Sequence, residues 1–122
     1  MAAKNLGLIH DSYTTALANP STTYVELPVP SEAGYMGLHI QWDDGTSAAA
    51  ITLESSNDPR ALITSTSAED WGTESNTIVG PTASAAGSSS TNLGNIGMLR
   101  LRLKIVTTAV TKLRIRANWR MS

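Results

Sequence analysis

A strict two-residue alternation in two stretches within residues 99–119 constrains the fold of this 122-residue chain more than any other feature. Apolar residues occupy every second position, first over 99–105 and again over 113–119, and most of the positions between them are basic. This period places one set of side chains on one face of a β-strand and the other set on the opposite face. We therefore predict two β-strands here, with the apolar side chains inward and the basic side chains outward.

The two strands could be neighbours in one sheet. The antiparallel register that aligns their apolar residues sets Leu103 opposite Leu113, and it also sets Arg102 opposite Arg114. Like charges directly opposed weaken a sheet. Two arrangements relieve this: either the strands belong to opposite sheets, as Greek-key connections allow, or they pair and the basic residues meet carboxylates of this chain or of another subunit.

The charge of the chain is divided unevenly along the sequence. Seven basic residues and no acid follow position 99, whereas two basic residues and all ten acids precede it, so the two parts carry +7 and −8. The outward positions of the two strands hold no aromatic residue for base stacking, and the acidic part would repel phosphate, so nucleic acid is not the expected partner. A contact with an acidic protein surface fits better, and a solvated face that resists aggregation is the alternative. The predicted protein interface consists of Arg100, Arg102, Lys104, Lys112, Arg114 and Arg116.

Composition favours an all-β fold. Serine and threonine make up about a quarter of the chain and Phe is absent, a balance that disfavours long helices and suits a β-sandwich with polar loops. No Cys is present, which excludes a disulfide, a thiolate nucleophile and Cys-ligated zinc. No run approaches the ~18–20 apolar residues of a membrane span, and no signal peptide is recognisable, so we expect no membrane association.

A second alternation indicates a hairpin in the first half of the chain. Residues 36–42 place apolar side chains at even positions, 43–46 have turn chemistry, and 49–53 place apolar side chains at odd positions. We predict that these strands pair with Ile40 opposite Ala49 and Leu38 opposite Ile51. A preceding strand over 22–27 is predicted to end at Pro28.

The remaining segments have weaker patterns. Residues 1–21 have no steady period and are predicted to form an irregular N-terminal arm, followed by a single β-sandwich domain over 22–122. Short strands are expected at 61–64 and 77–80. The polar segment 65–76 is expected to be a loop that tucks Trp71 onto the rim of a sheet. Residues 82–95 resemble a flexible linker, and a loop of that length often serves binding or assembly.

Candidate chemical groups are few. A two-histidine metal site would need both His10 and His39. Asp43-Asp44-Gly45 begins like a calcium loop but lacks the later ligands, so a plain turn is favoured. Asn57-Asp58 and Glu69-Asp70 are explained by loop chemistry without a cation. No phosphate-binding glycine loop or Ser–His–Asp context is present, and we expect no enzyme activity, no metal and no cofactor.

Three short stretches carry a resemblance to a known group of proteins. Trp42-Asp43-Asp44-Gly45, then Ile51-Thr52-Leu53-Glu54-Ser55-Ser56-Asn57-Asp58, then Trp71 resemble a pattern in small virion proteins of tailed bacteriophages. In those proteins a strand ending in a Ser-x-Asp or Ser-Asn-Asp turn is followed by a polar loop with a tryptophan. The resemblance covers about a third of the chain.

The resemblance implies a jelly-roll-like β-sandwich and a structural, non-enzymatic role without catalytic residues. The expected function is that of a capsid decoration or cement protein, commonly a homotrimer that binds the major capsid protein or another virion protein. Such a protein would be located in the virion, assembled in the cytoplasm of the host bacterium. The alternative is a tail or adhesion module that binds carbohydrate through loop aromatics such as Trp71 and Tyr35.

Overall fold

A computed structural model of the chain describes residues 5–17, 21–29, 33–42, 48–74, 78–81, 86–93, 100–107 and 111–121. These residues form eight β-strands and contain no helix. The strands are β1 (Asn5–Leu17), β2 (Ser21–Leu27), β3 (Ala33–Trp42), β4 (Ala49–Ser56), β5 (Gly72–Thr73), β6 (Gly87–Leu93), β7 (Arg100–Thr107) and β8 (Thr111–Met121). Accordingly, no helix in the described part of the chain is long and apolar enough to cross a membrane.

The strands form two four-stranded antiparallel sheets. Sheet A has the order β1-β8-β3-β6, and sheet B has the order β2-β7-β4-β5. One cluster of buried apolar side chains draws on both sheets: Met36, Leu38, Ile40 and Trp42 of β3 and Leu113, Ile115, Ala117 and Trp119 of β8 meet Leu27, Ile51, Leu53, Leu101, Leu103 and Ile105 of sheet B. The expected all-β sandwich is therefore confirmed.

The alternating residues of β7 and β8 are buried as the sequence predicts. Leu103, Ile105, Leu113 and Ile115 have no exposed surface. These two strands do not pair with each other, however, because β7 lies in sheet B and β8 in sheet A. The like-charged register is thus avoided by the first of the two predicted arrangements, in which the strands belong to opposite sheets.

The predicted hairpin between residues 36–42 and 49–53 is wrong. β3 pairs with β6 and β8 in sheet A, whereas β4 pairs with β7 and β5 in sheet B. The apolar faces of β3 and β4 contribute to one core across the gap between the sheets instead of lying side by side. The predicted turn over 43–46 lies outside the described residues.

The N-terminal segment is a strand for most of its length, so the irregular arm predicted over 1–21 is a further error. β1 pairs antiparallel with β8 from Asn5 opposite Arg120 to Leu17 opposite Thr111. Its register shifts at three places, and each shift changes the phase of the side chains. This explains why the sequence shows no steady period there.

The segment predicted to be a flexible linker, 82–95, contains β6. Gly87–Leu93 pairs with β3 without a register shift, from Trp42 opposite Gly87 to Met36 opposite Leu93. A run of Ser, Thr and Asn carries no apolar alternation, yet its backbone groups complete the edge of sheet A. Residues 82–85 and 94–95 lie outside the described residues.

The connection between β4 and β5 is irregular. Residues 57–71 form turns and loop, so the strand predicted at 61–64 is absent, and residues 78–80 of the strand predicted at 77–80 are not in a strand either. Side chains stabilise the turn that follows β4: the backbone N–H of Asp58 donates to Ser56 Oγ, and that of Arg60 donates to Asp58 Oδ1. Residues 57–71 are called the covering loop below, because they lie against the outer face of sheet B.

Candidate functional site

The structure divides the six predicted interface residues between two faces. Arg100, Arg102 and Lys104 lie on β7 and belong to the outer face of sheet B. Lys112, Arg114 and Arg116 lie on β8 and belong to the outer face of sheet A. The single basic surface that the alternation predicted is therefore two surfaces on opposite sides of the sandwich.

Arg102 is buried, although its position in the alternation predicts an outward side chain. Only 2% of its surface is exposed. Its Nε donates to Glu54 Oε1 at 2.8 Å, and its two terminal nitrogens donate to the carbonyl oxygens of Ile63 at 2.6 Å and Ser65 at 2.8 Å. Arg102 does face away from the core, but the covering loop closes over it.

Two aromatic rings hold the Arg102 guanidinium on its faces. Its central carbon lies 4.1 Å from the ring centre of Tyr24 and 4.3 Å from that of Trp71. The Trp71 Nε1–H donates to the carbonyl oxygen of Leu62 at 3.0 Å, and the ring is 4% exposed. The tryptophan is thus packed onto sheet B as predicted, and a buried ring cannot serve as an exposed platform for a sugar.

Arg100 extends the same cluster towards the edge of the sheet. Its Nε lies 2.7 Å from Glu26 Oε2, and its terminal nitrogen donates to the carbonyl oxygens of Asp58, at 3.4 Å, and Ala61. The hydrogen bond with Glu26 is the main cause that raises the pKa of Arg100 above its ordinary value. Carboxylates of this chain therefore meet two of the basic residues of β7. The sequence analysis expected such contacts only if β7 and β8 paired, whereas the two strands lie in different sheets.

The cluster of Arg100, Arg102, Glu26, Glu54, Tyr24 and Trp71 attaches the covering loop to sheet B. Four carbonyl oxygens of the covering loop accept hydrogen bonds from the two arginines, and these bonds substitute for the strand ladder that the loop lacks. The alternation of inward and outward positions contained a signal for this cluster, because Glu26, Glu54 and Arg102 all occupy outward positions. The structure shows that these three residues lie on adjacent strands.

The outer face of sheet A is polar and basic. Lys112, Arg114 and Arg116 are partly exposed, Arg120 is exposed, and the first three also make interactions of their own. The register of β3 places Gln41 opposite Arg114 and His39 opposite Arg116. This face keeps basic side chains accessible to solvent, in contrast to the buried Arg102 of sheet B.

A groove lies in the middle of this face, where the outward position of β3 is a glycine. It has a volume of about 400 Å³, and more of its lining surface is apolar than polar. The lining residues are Gly37, Leu38, His39, Ser90, Asn92, Arg116 and Asn118. Asn118 Oδ1 is buried and has no hydrogen-bond partner among the described residues. We name this feature the Gly37 groove; the sequence analysis missed it because its β6 wall was taken for a linker.

The other chemical candidates do not assemble into a site. No group of three or more His, Asp or Glu side chains that could hold a metal occurs among the described residues. Asp58 forms an ion pair with Arg60 at 3.9 Å, and Asp70 accepts a hydrogen bond from Ser65 Oγ at 2.5 Å, so both act within the covering loop. His10 lies on β1, and Asp43-Asp44-Gly45 lies outside the described residues.

No protein-family model matches the chain, and a search of curated proteins found no significant match. The structure and its chemistry are therefore the basis for the functional proposal.

Proposed function

We propose that this chain is a non-enzymatic structural protein of a bacteriophage particle, a decoration or cement protein that binds the capsid as a homo-oligomer, with a trimer as the expected form. The order of the strands supports the jelly-roll-like fold that such a role implies. Eight strands in two sheets of order β1-β8-β3-β6 and β2-β7-β4-β5 have the antiparallel, sheet-crossing connectivity typical of jelly rolls.

The observation that carries the proposal is the unequal exposure of the two basic strands. Arg102 of β7 is buried under the covering loop. Lys112 and Arg114 of β8 make interactions of their own and are partly exposed on the outer face of sheet A. A basic surface steers association with an acidic partner and sets its orientation. We therefore centre the contact surface on Lys112 and Arg114, with Arg116 at its border.

The test uses a charge reversal on each side of the molecule. Arg114→Glu should weaken co-sedimentation of the chain with phage particles at low salt, because it places a carboxylate in the contact surface. Arg60→Glu is the matched control, since the Arg60 side chain is 92% exposed in the covering loop of sheet B and should bind normally. Thermal unfolding of both variants separates lost contact from lost folding.

Two results would contradict the proposal. If mass spectrometry of purified virions from the source culture does not detect the chain, the virion role is wrong. If particles bind both variants equally, the contact surface lies elsewhere on the molecule.

A tail or adhesion module that binds carbohydrate stays as a second candidate function. Trp71 is buried and cannot stack against a sugar ring. Tyr35 can, because it is 43% exposed and lies on the outer face of sheet A, two residues from Gly37.

A further inference from the structure

Gly37 occupies the middle of a central strand where nothing in the backbone requires a glycine. The register of β3 is continuous from Met36 to Trp42 with both of its neighbours, so no bulge occurs there. A Cβ on this residue would lie 3.7 Å from Asn92 Oδ1 and 4.0 Å from the Asn118 carbonyl oxygen, which are ordinary contacts. A glycine within a strand that serves neither a bulge nor a turn often marks the close approach of a ligand.

The missing side chain leaves the Gly37 groove open above the sheet. Its register sets Asn92 and Asn118 on either side of Gly37, and Ser90 and Arg116 on either side of His39. The two amides and the hydroxyl can both donate and accept hydrogen bonds. The volume of about 400 Å³ falls within the ~300–1,000 Å³ of small-molecule sites.

An unsatisfied acceptor borders this groove. Asn118 Oδ1 is one of two buried side-chain atoms without a hydrogen-bond partner in the described part of the chain, and the other, Trp119 Nε1, belongs to a side chain with no exposed surface. Buried polar atoms are nearly always paired in native proteins. Asn118 is the one of the two that also lines the groove. Its Oδ1 has less than 1 Å² of accessible surface, so a ligand hydroxyl could donate to this oxygen only after the amide turns towards the groove.

The surroundings narrow the class of ligand. Tyr35, two residues before Gly37 on the same face, offers a half-exposed ring. Arg116 and His39 supply a cation and an imidazole at the other end of the groove. Most of the lining surface is apolar and Leu38 contributes to it, which suits the C–H face of a sugar ring. A single-stranded nucleic acid would need several stacking rings along a track.

We propose that the Gly37 groove binds an acidic saccharide. Its hydroxyl groups would hydrogen-bond with Asn92, Ser90 and Asn118, one sugar ring would pack against Tyr35, and a carboxylate such as that of a hexuronic acid would lie towards Arg116. The inference does not depend on the virion role. The groove shares Arg116 with the border of the proposed contact surface, but Lys112 at the centre of that surface lies about 20 Å from Asn118 along β8 at ~3.3 Å per residue.

The test is titration of the isolated chain with defined probes, followed by NMR chemical shifts and calorimetry. The probes are oligosaccharides of glucuronic acid, neutral glucose oligosaccharides of equal length, and a polyglutamate peptide. We expect the uronic acid oligosaccharides to bind and to shift the amides of residues 35–39, 90–92 and 116–118, with weaker binding by the neutral sugars.

Gly37→Thr is the decisive variant, because threonine suits a strand and its side chain fills the groove. We expect the affinity to fall about tenfold or more, equivalent to about 1.4 kcal/mol per factor of ten. Gly72→Thr is the matched control, since a Cβ at Gly72 meets nothing within 4 Å, and it should bind like the unmodified chain. If Gly37→Thr does not fold, Asn92→Ala on the exposed strand β6 replaces it with the same expectation.

Three outcomes would overturn the proposal. The first is an absence of chemical-shift change with every sugar, and the second is uronic acid binding that Gly37→Thr or its substitute Asn92→Ala leaves intact. The third is polyglutamate binding as tight as that of the sugar, which would show that the groove recognises acidic protein. None of these outcomes involves phage particles, so they are distinguishable from failure of the virion role.

Discussion

Removing the charge of Glu54 should destabilise this protein far more than the same change at Glu26. Both residues lie opposite Arg102, on β4 and β2 respectively, and both can be changed to glutamine with little change of shape. The Glu54–Arg102 pair has side chains 12% and 2% exposed, whereas the Glu26–Arg100 pair is 40% and 16% exposed. The two substitutions therefore compare a buried with a more exposed ion pair in one sheet.

The magnitude follows from the geometry. At 2.8 Å and an effective dielectric constant of ~20, the attraction between the charges is about 6 kcal/mol. In the Glu54→Gln variant the guanidinium of Arg102 keeps its hydrogen bonds to Ile63 and Ser65 and its stacking on Tyr24 and Trp71. These contacts partly compensate the buried charge, so the net cost is smaller than the lost attraction. We expect Glu54→Gln to cost about 3 kcal/mol, the lower end of the range for breaking a buried pair. Glu26→Gln should cost about 0.2–1 kcal/mol because solvent screens that pair.

Urea unfolding followed by far-UV circular dichroism measures both free energies by linear extrapolation. In thermal unfolding, these free energies correspond to a melting temperature about 10 °C below that of the unmodified chain for Glu54→Gln. For Glu26→Gln the decrease should be a few degrees at most. The double substitution Glu54→Leu with Arg102→Met should recover only part of the stability: no unpaired charge stays buried, but the carbonyl oxygens of Ile63 and Ser65 lose their donor. Equal costs at the two glutamates would refute the reasoning.

The other predictions concern Arg100 and two glycines. Because the pKa of Arg100 is raised, its contribution to stability is complete below the ordinary pKa of arginine and is lost only as the pH rises through the raised value. Arg100→Met should therefore cost the same in urea unfolding at about pH 6 and about pH 9, and a cost that vanishes at the higher pH would contradict this. A Cβ at Gly87 would lie 2.8 Å from Trp42 Nε1, so Gly87→Ala should destabilise the fold by about 1–3 kcal/mol. Gly72→Ala, which meets nothing within 4 Å, should change it by no more than about 0.5 kcal/mol in the same assay.

Sequence periodicity identified strands but not their neighbours. The inward residues of β3, such as Ile40, and of β4, such as Ile51, were correctly assigned to a core. In a sandwich, two strands can bring their apolar residues together either as neighbours in one sheet or as strands that face each other from opposite sheets. The alternation of apolar residues is the same in both arrangements and does not distinguish between them. The Arg102–Arg114 repulsion also bore on pairing; it left open whether β7 and β8 lie in opposite sheets, as observed, or pair with their charges neutralised.

The strands that the sequence analysis missed lack a period for physical reasons. β1 changes phase at three register shifts, and β6 contributes mainly backbone hydrogen bonds because its residues are Ser, Thr, Asn and Gly with one Leu. The arginine cluster was missed for a different reason: parity assigns Arg102 to the outer face, but it carries no information on whether a loop covers that face.

The row Glu26–Arg102–Glu54 across β2, β7 and β4 also has a consequence for the specificity of folding. A slip of β7 by one residue would place the arginine opposite Val25 or Leu27 and turn its charge into the core. A slip of two would leave it beside Tyr24 and Thr52, or beside Pro28 and Ser56, but would bring Arg100 or Lys104 between the two glutamates in its place. The charged row therefore excludes slips by one residue, which turn cations into the core, but it tolerates a slip by two. The native alignment is distinguished from a two-residue slip by the contacts of Arg102 with the covering loop, Tyr24 and Trp71.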